Sequence, residues 1–563
     1  MKADGPLTLG LLAVALAAPV SLPLAKAGTA PSRTLLRSLE RFEQDMRRLD
    51  RTLPAATPSS AGAAASPGPA AGALQQLNAP PAGAIPDKAG TVAIRQRVTL
   101  TLPQALELAV RNSPALAEQA AAVRERQGLK RSVQGRFWPE VALEVGGSYS
   151  QLRAYNTVWT DNAGIYPAGS PFLVKPNGWN RIQSNLGLGA AGLGLNWDLV
   201  NFERGAALAE SSQELEAAKR RYANGLRQLQ LDVSLAYYSL QLAEQLRRVR
   251  QAVVDNDTVV RDEVQALKRS GLVPRLDLLR AEAEIQQSRY RLEQVDALRL
   301  SRQRLLSNLL NVPFDITLTA PEAVRLQPPW PLDLERTLIA GFQDNPQLQA
   351  LQAARDALLR QADRRAAELL PTLRMFARGG LADGLSTKPV IDLNGCCAAT
   401  NIPALNSQSS DWAAGLELRW RLFDAGVTSG AVSASRAAAE RTEQALARER
   451  NSIRQRMETA FYDHRASLGQ IVASRSAYAA AREAFRDVRA RYQLGLANYT
   501  DVSDTIRQLT QAMEGVAESV TLANVSYAQL LRELLPVPDQ PAAPVSLPLV
   551  LPASLSAAAS TAP

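Results

Sequence analysis

Asn112-Ser113-Pro114-Ala115-Leu116 returns as Asp344-Asn345-Pro346-Gln347-Leu348, an offset of 232 residues, and Pro139 returns as Pro371 at the same offset. Working outward, Trp197-Asp198-Leu199 pairs with Trp420-Arg421-Leu422, Gly271-Leu272 with Gly495-Leu496, and Val312-Pro313 with Val537-Pro538, at offsets of 223, 224 and 225. Landmarks that keep their order and nearly their spacing over most of a 563-residue chain mark an internal duplication. The unit has to be read before any single residue. Its two copies span residues 98–320 and 321–538.

Each copy opens with a helical stretch. The first begins at Thr101-Leu102-Pro103-Gln104, an N-cap residue closely followed by proline, and is predicted to run to about Phe137, where Pro139 stops it. Its counterpart is expected over Leu332 to Leu370. Next come short segments in which apolar and small residues alternate: Val141 to Tyr149, Leu186 to Trp197, Leu373 to Gly380 and Ala414 to Trp420. That period of two marks strands with unlike faces. The turn-rich stretches Arg153 to Gln183 and Asp383 to Asp411 read as long loops, suited to act as lids.

After each hairpin a helix starts near Glu203 or Thr428 and meets no breaker until Gly271 or Gly495. In the first, Leu208, Leu215, Tyr222, Leu226, Leu229, Val233, Tyr237 and Leu240 form a coiled-coil seam. At ~1.5 Å per residue such a helix is on the order of 100 Å long, too long for a compact globule. After the tips the chain reverses into shorter helices, the first from about Leu278 to Leu310. The short helices of a copy together match the long one, so they can stack beside it.

The flanks differ in character. Residues 1–27 combine Lys2, an apolar run and Ala25-Lys26-Ala27, the pattern of a cleavable signal peptide; no cysteine stands at the cut to take a lipid. Residues 28–97 hold a short heptad segment (Leu35, Leu39, Phe42, Met46, Leu49, Leu53), expected to self-associate or dock elsewhere, and an Ala/Pro-rich linker from Pro54 to Gly90. Residues 539–563 read as a disordered tail. No other segment reaches the ~18 apolar residues of a spanning helix, so any membrane crossing must use strands.

Several function classes fall away. The net charge of +9 is spread as arginines interleaved with glutamates along helices, which does not suit nucleic acid. Cys396 and Cys397, the only cysteines, have no zinc-ligand companions, and the sole histidine, His464, lies within a helical run. There is no catalytic constellation, no metal site and no cofactor motif.

Four strands per chain cannot close a membrane sheet, because the smallest barrels have about eight, and each unpaired amide in hydrocarbon costs several kcal/mol. Several chains must then share one barrel, and three would supply twelve strands. Phe137, Trp138, Tyr149, Trp197, Phe376, Trp412 and Trp420 lie near strand ends, with Trp138, Trp197, Trp412 and Trp420 as candidate interface aromatics. A non-conducting coiled-coil scaffold of the envelope is the alternative, but it would leave the hairpins without a use.

In this duplicated order of helix, hairpin, long helix, Gly-Leu tip and helix, the chain resembles the TolC family of outer-membrane efflux proteins over about residues 98–538. The likeness rests on the Asn-Ser-Pro-Ala-Leu and Asp-Asn-Pro-Gln-Leu segments, the Trp197 and Trp420 turns, and the tips Gly271 to Asp277 and Gly495 to Asp501. The resemblance implies a mainly α homotrimer with a small β part. A twelve-stranded barrel would stand in outer-membrane lipid of a Gram-negative-type bacterium, above a periplasmic helical tunnel. It also implies a periplasmic adaptor that meets Gly271, Leu272, Gly495 and Leu496, and an inner-membrane pump of ABC or RND type. Asp501 and Asp504 match the aspartates that ring the family's aperture, and Tyr492 and Asp277 match a tip-closing pair. The arginine of that latch falls on Ala497, leaving Arg491 as a candidate stand-in.

Overall fold

A computed structural model describes residues 33–52, 77–158, 178–320, 324–393, 402–494, 496–541, 545 and 547–552. The signal peptide, Leu53, Cys396, Cys397 and Gly495 lie outside them.

The duplication is visible in the element lengths. Helix α1 spans Arg33–Thr52. The first copy then runs β1 Gln96–Thr99, α2 Leu102–Asn112, α3 Pro114–Gly135, β2 Glu140–Val158, β3 Gly178–Val200, α4 Phe202–Arg269, α5 Arg275–Leu309 and β4 Ile316–Thr319. The second runs α6 Leu334–Gln343, α7 Pro346–Ala366, β5 Thr372–Leu393, β6 Ile402–Arg419, α8 Val427–Gln493 and α9 Tyr499–Leu534. The long helices α4 and α8 have 68 and 67 residues, and their returns α5 and α9 have 35 and 36.

The opening helix of each copy, expected to be continuous, is instead broken at the motif that revealed the repeat. Ser113 and Asn345 are extended N-caps whose side chains accept from the amides of Leu116 (3.3 Å) and Gln347 (3.0 Å), with Pro114 and Pro346 in the first turn. Proline cannot donate to the preceding turn and clashes with it, so the chain restarts a helix there although the apolar spacing continues. The side-chain amide of Asn112 donates to the carbonyls of Leu77 (2.7 Å) and Leu310 (3.2 Å) across the break.

Of the predicted α4 seam, Tyr222, Leu226, Val233, Tyr237 and Leu240 are buried, while Leu208, Leu215 and Leu229 are half-buried. Burying each such side chain stabilises by about 1.5–3 kcal/mol. Arg227, on the same helix, is buried and donates to the carbonyls of Leu535 (2.6 Å), Glu533 (2.8 Å) and Asp344 (3.3 Å). It pins the end of α9 and the α6–α7 break to α4. Burial pulls its pKa down to about 10, the charge of Glu533 opposing.

Three flanking features differ from expectation. Strands β1 and β4, in parallel register from Gln96↔Ile316 to Thr99↔Thr319, were not anticipated. The linker joins the core at Leu77, which is buried with Val98, Leu100 and Leu318. The tail is docked over part of its length: Leu547, Leu549 and Leu551 pack on the body, and the Leu551 amide donates to the Tyr527 hydroxyl at 3.1 Å. Leucines at the alternate positions 547, 549 and 551 give this segment one apolar edge. The heptad segment docks as α1, with Leu35, Leu39, Phe42 and Met46 buried against α4, α8 and α9.

The four long strands form one antiparallel sheet in the order β2-β3-β5-β6. They have 19, 23, 22 and 18 residues, so much of the two expected loops is strand. Those stretches are rich in Gly, Ser and Asn, which carry little strand propensity of their own; pairing with a neighbour holds them extended. Strands β2 and β6 are the edges of the sheet.

Candidate functional site: two sheet faces and the helix tips

The register sorts the sheet into two faces. One carries Val141, Leu143, Val145 and Tyr149 of β2, Leu193 of β3, Met375 and Leu381 of β5, and Trp412, Leu416 and Leu418 of β6. Most of these are open to solvent: Val145 is 73% exposed and Trp412 83%. The other carries Glu140, Glu144, Asn196, Asp198, Arg374, Arg378, Asp411 and Glu417, with Arg374 paired to Asp198 at 2.8 Å. An exposed apolar face of this kind marks a surface that meets lipid or another protein chain. Its geometry suits a strand layer between lipid and an aqueous lumen.

Trp197 and Trp420 fill equivalent positions where strands meet helices. Their indole N–H groups donate to the carbonyls of Phe137 (3.0 Å) and Leu369 (3.1 Å), each at the end of an opening helix. Trp138 lies at the same junction and is exposed. Trp412 stands apart, paired with Gly379 well along β6. Eight residues of strand separate it from Trp420, about 27 Å at ~3.4 Å per residue. With a tilt of ~40° that is about 21 Å of height, close to the ~25 Å apolar band of membrane barrels.

At the opposite end, Asp277, Tyr492, Leu496, Asp501 and Asp504 line one cleft of about 880 Å³. The Asp501 carboxylate accepts from the Asn498 amide and the Asn498 side chain accepts from the Asp501 amide, both at 3.0 Å, a reciprocal cap on α9. Asp504 is paired with Arg507, and Asp277 with Arg280 at 3.6 Å. Burial, and then the charge of Glu263, raises the pKa of Tyr492. Arg491 is paired with Asp487 on its own helix at 2.9 Å. Gly271 adopts φ +74°, where a side chain would be strained, and lets the Leu272 amide bond back to Leu267. Leu272, next to it, and Leu496, at the second tip, are exposed.

A buried acid near the tip was missed by sequence reading. Asp257 accepts from the Ser288 hydroxyl at 2.5 Å and lies near Glu284 and Tyr499. Burial pushes its pKa up to about 6; the hydrogen bond from Ser288 opposes the rise and the charge of Glu284 adds to it. Its place between Val253 and Val260 on the apolar stripe was the available signal. His464 is a core residue: its Nε2 accepts from the Trp330 amide at 3.2 Å, and burial lowers its pKa against the pull of the Ala523 carbonyl. Among the described residues no cluster of His, Cys, Asp or Glu is placed to hold a metal ion.

Long duplicated helical hairpins carrying a two-faced sheet define a channel-tunnel class of protein. A family model for outer membrane efflux proteins matches residues 105–312 and 342–532, and the chain belongs to that family, the TolC-like outer-membrane efflux proteins. Protein CyaE of Bordetella pertussis is 25% identical over 372 residues, 65% of this chain and 70% of that protein. The outer membrane protein VceC of Vibrio cholerae shares the fold with a TM-score of 0.56 at 17% identity, over 77% of this chain and 95% of its own. A membrane protein of Pseudomonas aeruginosa gives 0.58 at 15% identity, over 87% and 98%, and the CmeC outer membrane channel of Campylobacter jejuni 0.58 at 13%, over 81% and 94%.

Proposed function

We propose that the protein is a homotrimeric channel-tunnel of the outer membrane, in which three four-stranded sheets join edge to edge into a twelve-stranded barrel and the helical hairpins extend into the periplasm. The observation that carries this is the sheet itself, apolar and exposed on one face, charged on the other, and open along β2 and β6. Closure by copies of the same chain satisfies both edges and puts the apolar face in lipid.

In this reading the channel is a passive exit duct for tripartite efflux or type I secretion. An adaptor docks at the tips around Gly271, Leu272, Gly495 and Leu496, and an inner-membrane pump of ABC or RND type supplies the energy. Asp501 and Asp504, repeated three times, ring the aperture, and Asp277 and Tyr492 meet across neighbouring tips to hold it shut. That both pairs share one cleft supports these roles. Reconstituting the purified mature protein in a planar bilayer tests the reading. It predicts a heat-resistant trimer that conducts ions. A trimer that binds membranes without conducting would favour the scaffold alternative.

A further inference from the structure

Helix α1 lies outside the residues matched to the efflux family. It bridges the two repeats beside the tips, antiparallel to both long helices. Toward the first repeat, the Ser38 hydroxyl donates to the Asn256 side chain of α4 at 3.0 Å. Toward the second, Phe42 packs edge-to-face on Phe485 of α8 with ring centroids 5.6 Å apart, and the Tyr478 hydroxyl donates to the Met46 carbonyl at 3.4 Å. Leu35, near its start, lines the tip cleft with Asp277 and Tyr492.

The charges match in register. Arg475, Arg482, Arg486 and Arg489 of α8 recur at steps of 7, 4 and 3, on one helical face. Asp50 and Glu43 of α1 stand seven residues apart. Asp50 pairs with Arg475 at 3.0 Å and Arg482 at 3.5 Å, and Glu43 with Arg486 at 2.8 Å and with Arg489 and its own neighbour Arg47. Glu43 is only 3% exposed. Burial opposes its charge, but hydrogen bonds from Arg486 and Arg47 and the charge of Arg489 outweigh it and hold the carboxyl below its ordinary value.

We propose that α1 is a strap that ties the first repeat to the second at the tip end of the tunnel, and that the aperture opens when the strap lets go. Widening a ring of helices requires neighbouring coiled coils to shift sideways, and α1 is seated on both coiled coils that must part. Twenty-four residues separate Thr52 from Leu77, where the chain rejoins the core, so a released strap stays tethered at high effective concentration and can reseat. Tip closure built in this way does not need the family latch arginine, whose position is Ala497 here.

The proposal rests on the exit-duct reading and is tested on the full mature protein in planar bilayers, with trimer formation followed on gels. Glu43→Arg sets a further positive charge among the arginines. It should make openings on the order of ten times more frequent, since breaking one buried ion pair shifts a two-state equilibrium by at least that factor. Adding Arg486→Glu and Arg489→Glu should return the opening frequency toward wild type, which general loosening of the fold would not do. Should Glu43→Arg fail to assemble, Glu43→Gln, which keeps the shape and loses only the charge, should show a smaller rise. A variant trimer that opens as rarely as a conducting wild type overturns the strap and leaves the duct standing. A wild-type trimer that never conducts removes both.

Discussion

Leu416 is placed to report whether the apolar face meets lipid. It lies four residues from Trp412 and four from Trp420, so about 14 Å of strand separates it from each, near the middle of the apolar band. Its side chain shares the face of Leu418 and is largely exposed in the single chain. Arginine at the midplane of a membrane barrel costs about 2–4 kcal/mol. With three copies per barrel, Leu416→Arg should destabilise the assembly by roughly 6–12 kcal/mol. Ser409→Arg puts the same side chain on the opposite face, toward an aqueous lumen, and should cost less than about 1 kcal/mol. Urea titration of protein folded into phospholipid vesicles measures both, and the heat-resistant oligomer on gels gives a second reading. If Leu416→Arg is as stable as Ser409→Arg, the apolar face does not contact lipid and the reasoning from the register fails.

Because the Asp257 pKa is raised, its contribution is fully present below the ordinary carboxylate value and is lost as pH rises through about 6. Asp257→Asn should therefore stabilise the protein by up to about 3 kcal/mol at pH 8 and hardly at all near pH 4, read from melting curves at both; an equal gain at both would contradict the assignment. Asp501→Asn keeps the acceptor that caps α9 while removing charge, and together with Asp504→Asn should shift the reversal potential in a salt gradient toward lower cation preference. An unmoved potential places the pair away from the aperture. Arg227→Met should cost about 3–5 kcal/mol, because three backbone carbonyls lose a buried charged donor, and a melting temperature within a degree or two of wild type would argue against that clamp.

Much of the architecture is legible in the sequence because punctuation survives duplication. Pro114 and Pro346, Gly271 and the tryptophans at 197 and 420 keep their spacing, and an unbroken seam from Leu208 to Leu240 forces a long helix. The same prolines also break the opening helices, a consequence hidden by apolar spacing that runs on through them. Strands β1 and β4 are four residues each and lie about 220 residues apart, so nothing local announces their pairing. The outer halves of the long strands are Gly-, Ser- and Asn-rich, and their extended form depends on partners that propensity does not register. At the tips, resemblance picked out Asp277, Tyr492, Asp501 and Asp504, which share a cleft. The caps and ion pairs that occupy three of these carboxylates, and the seat of α1, depend on which helices meet in space.

In the proposed channel one chain brings only a third of a closed sheet. Native mass measurement of the mature protein extracted in mild detergent tests this most directly. A shared barrel requires a particle of three chains that separates only on heating, and a stable monomer that stays soluble without detergent would contradict it.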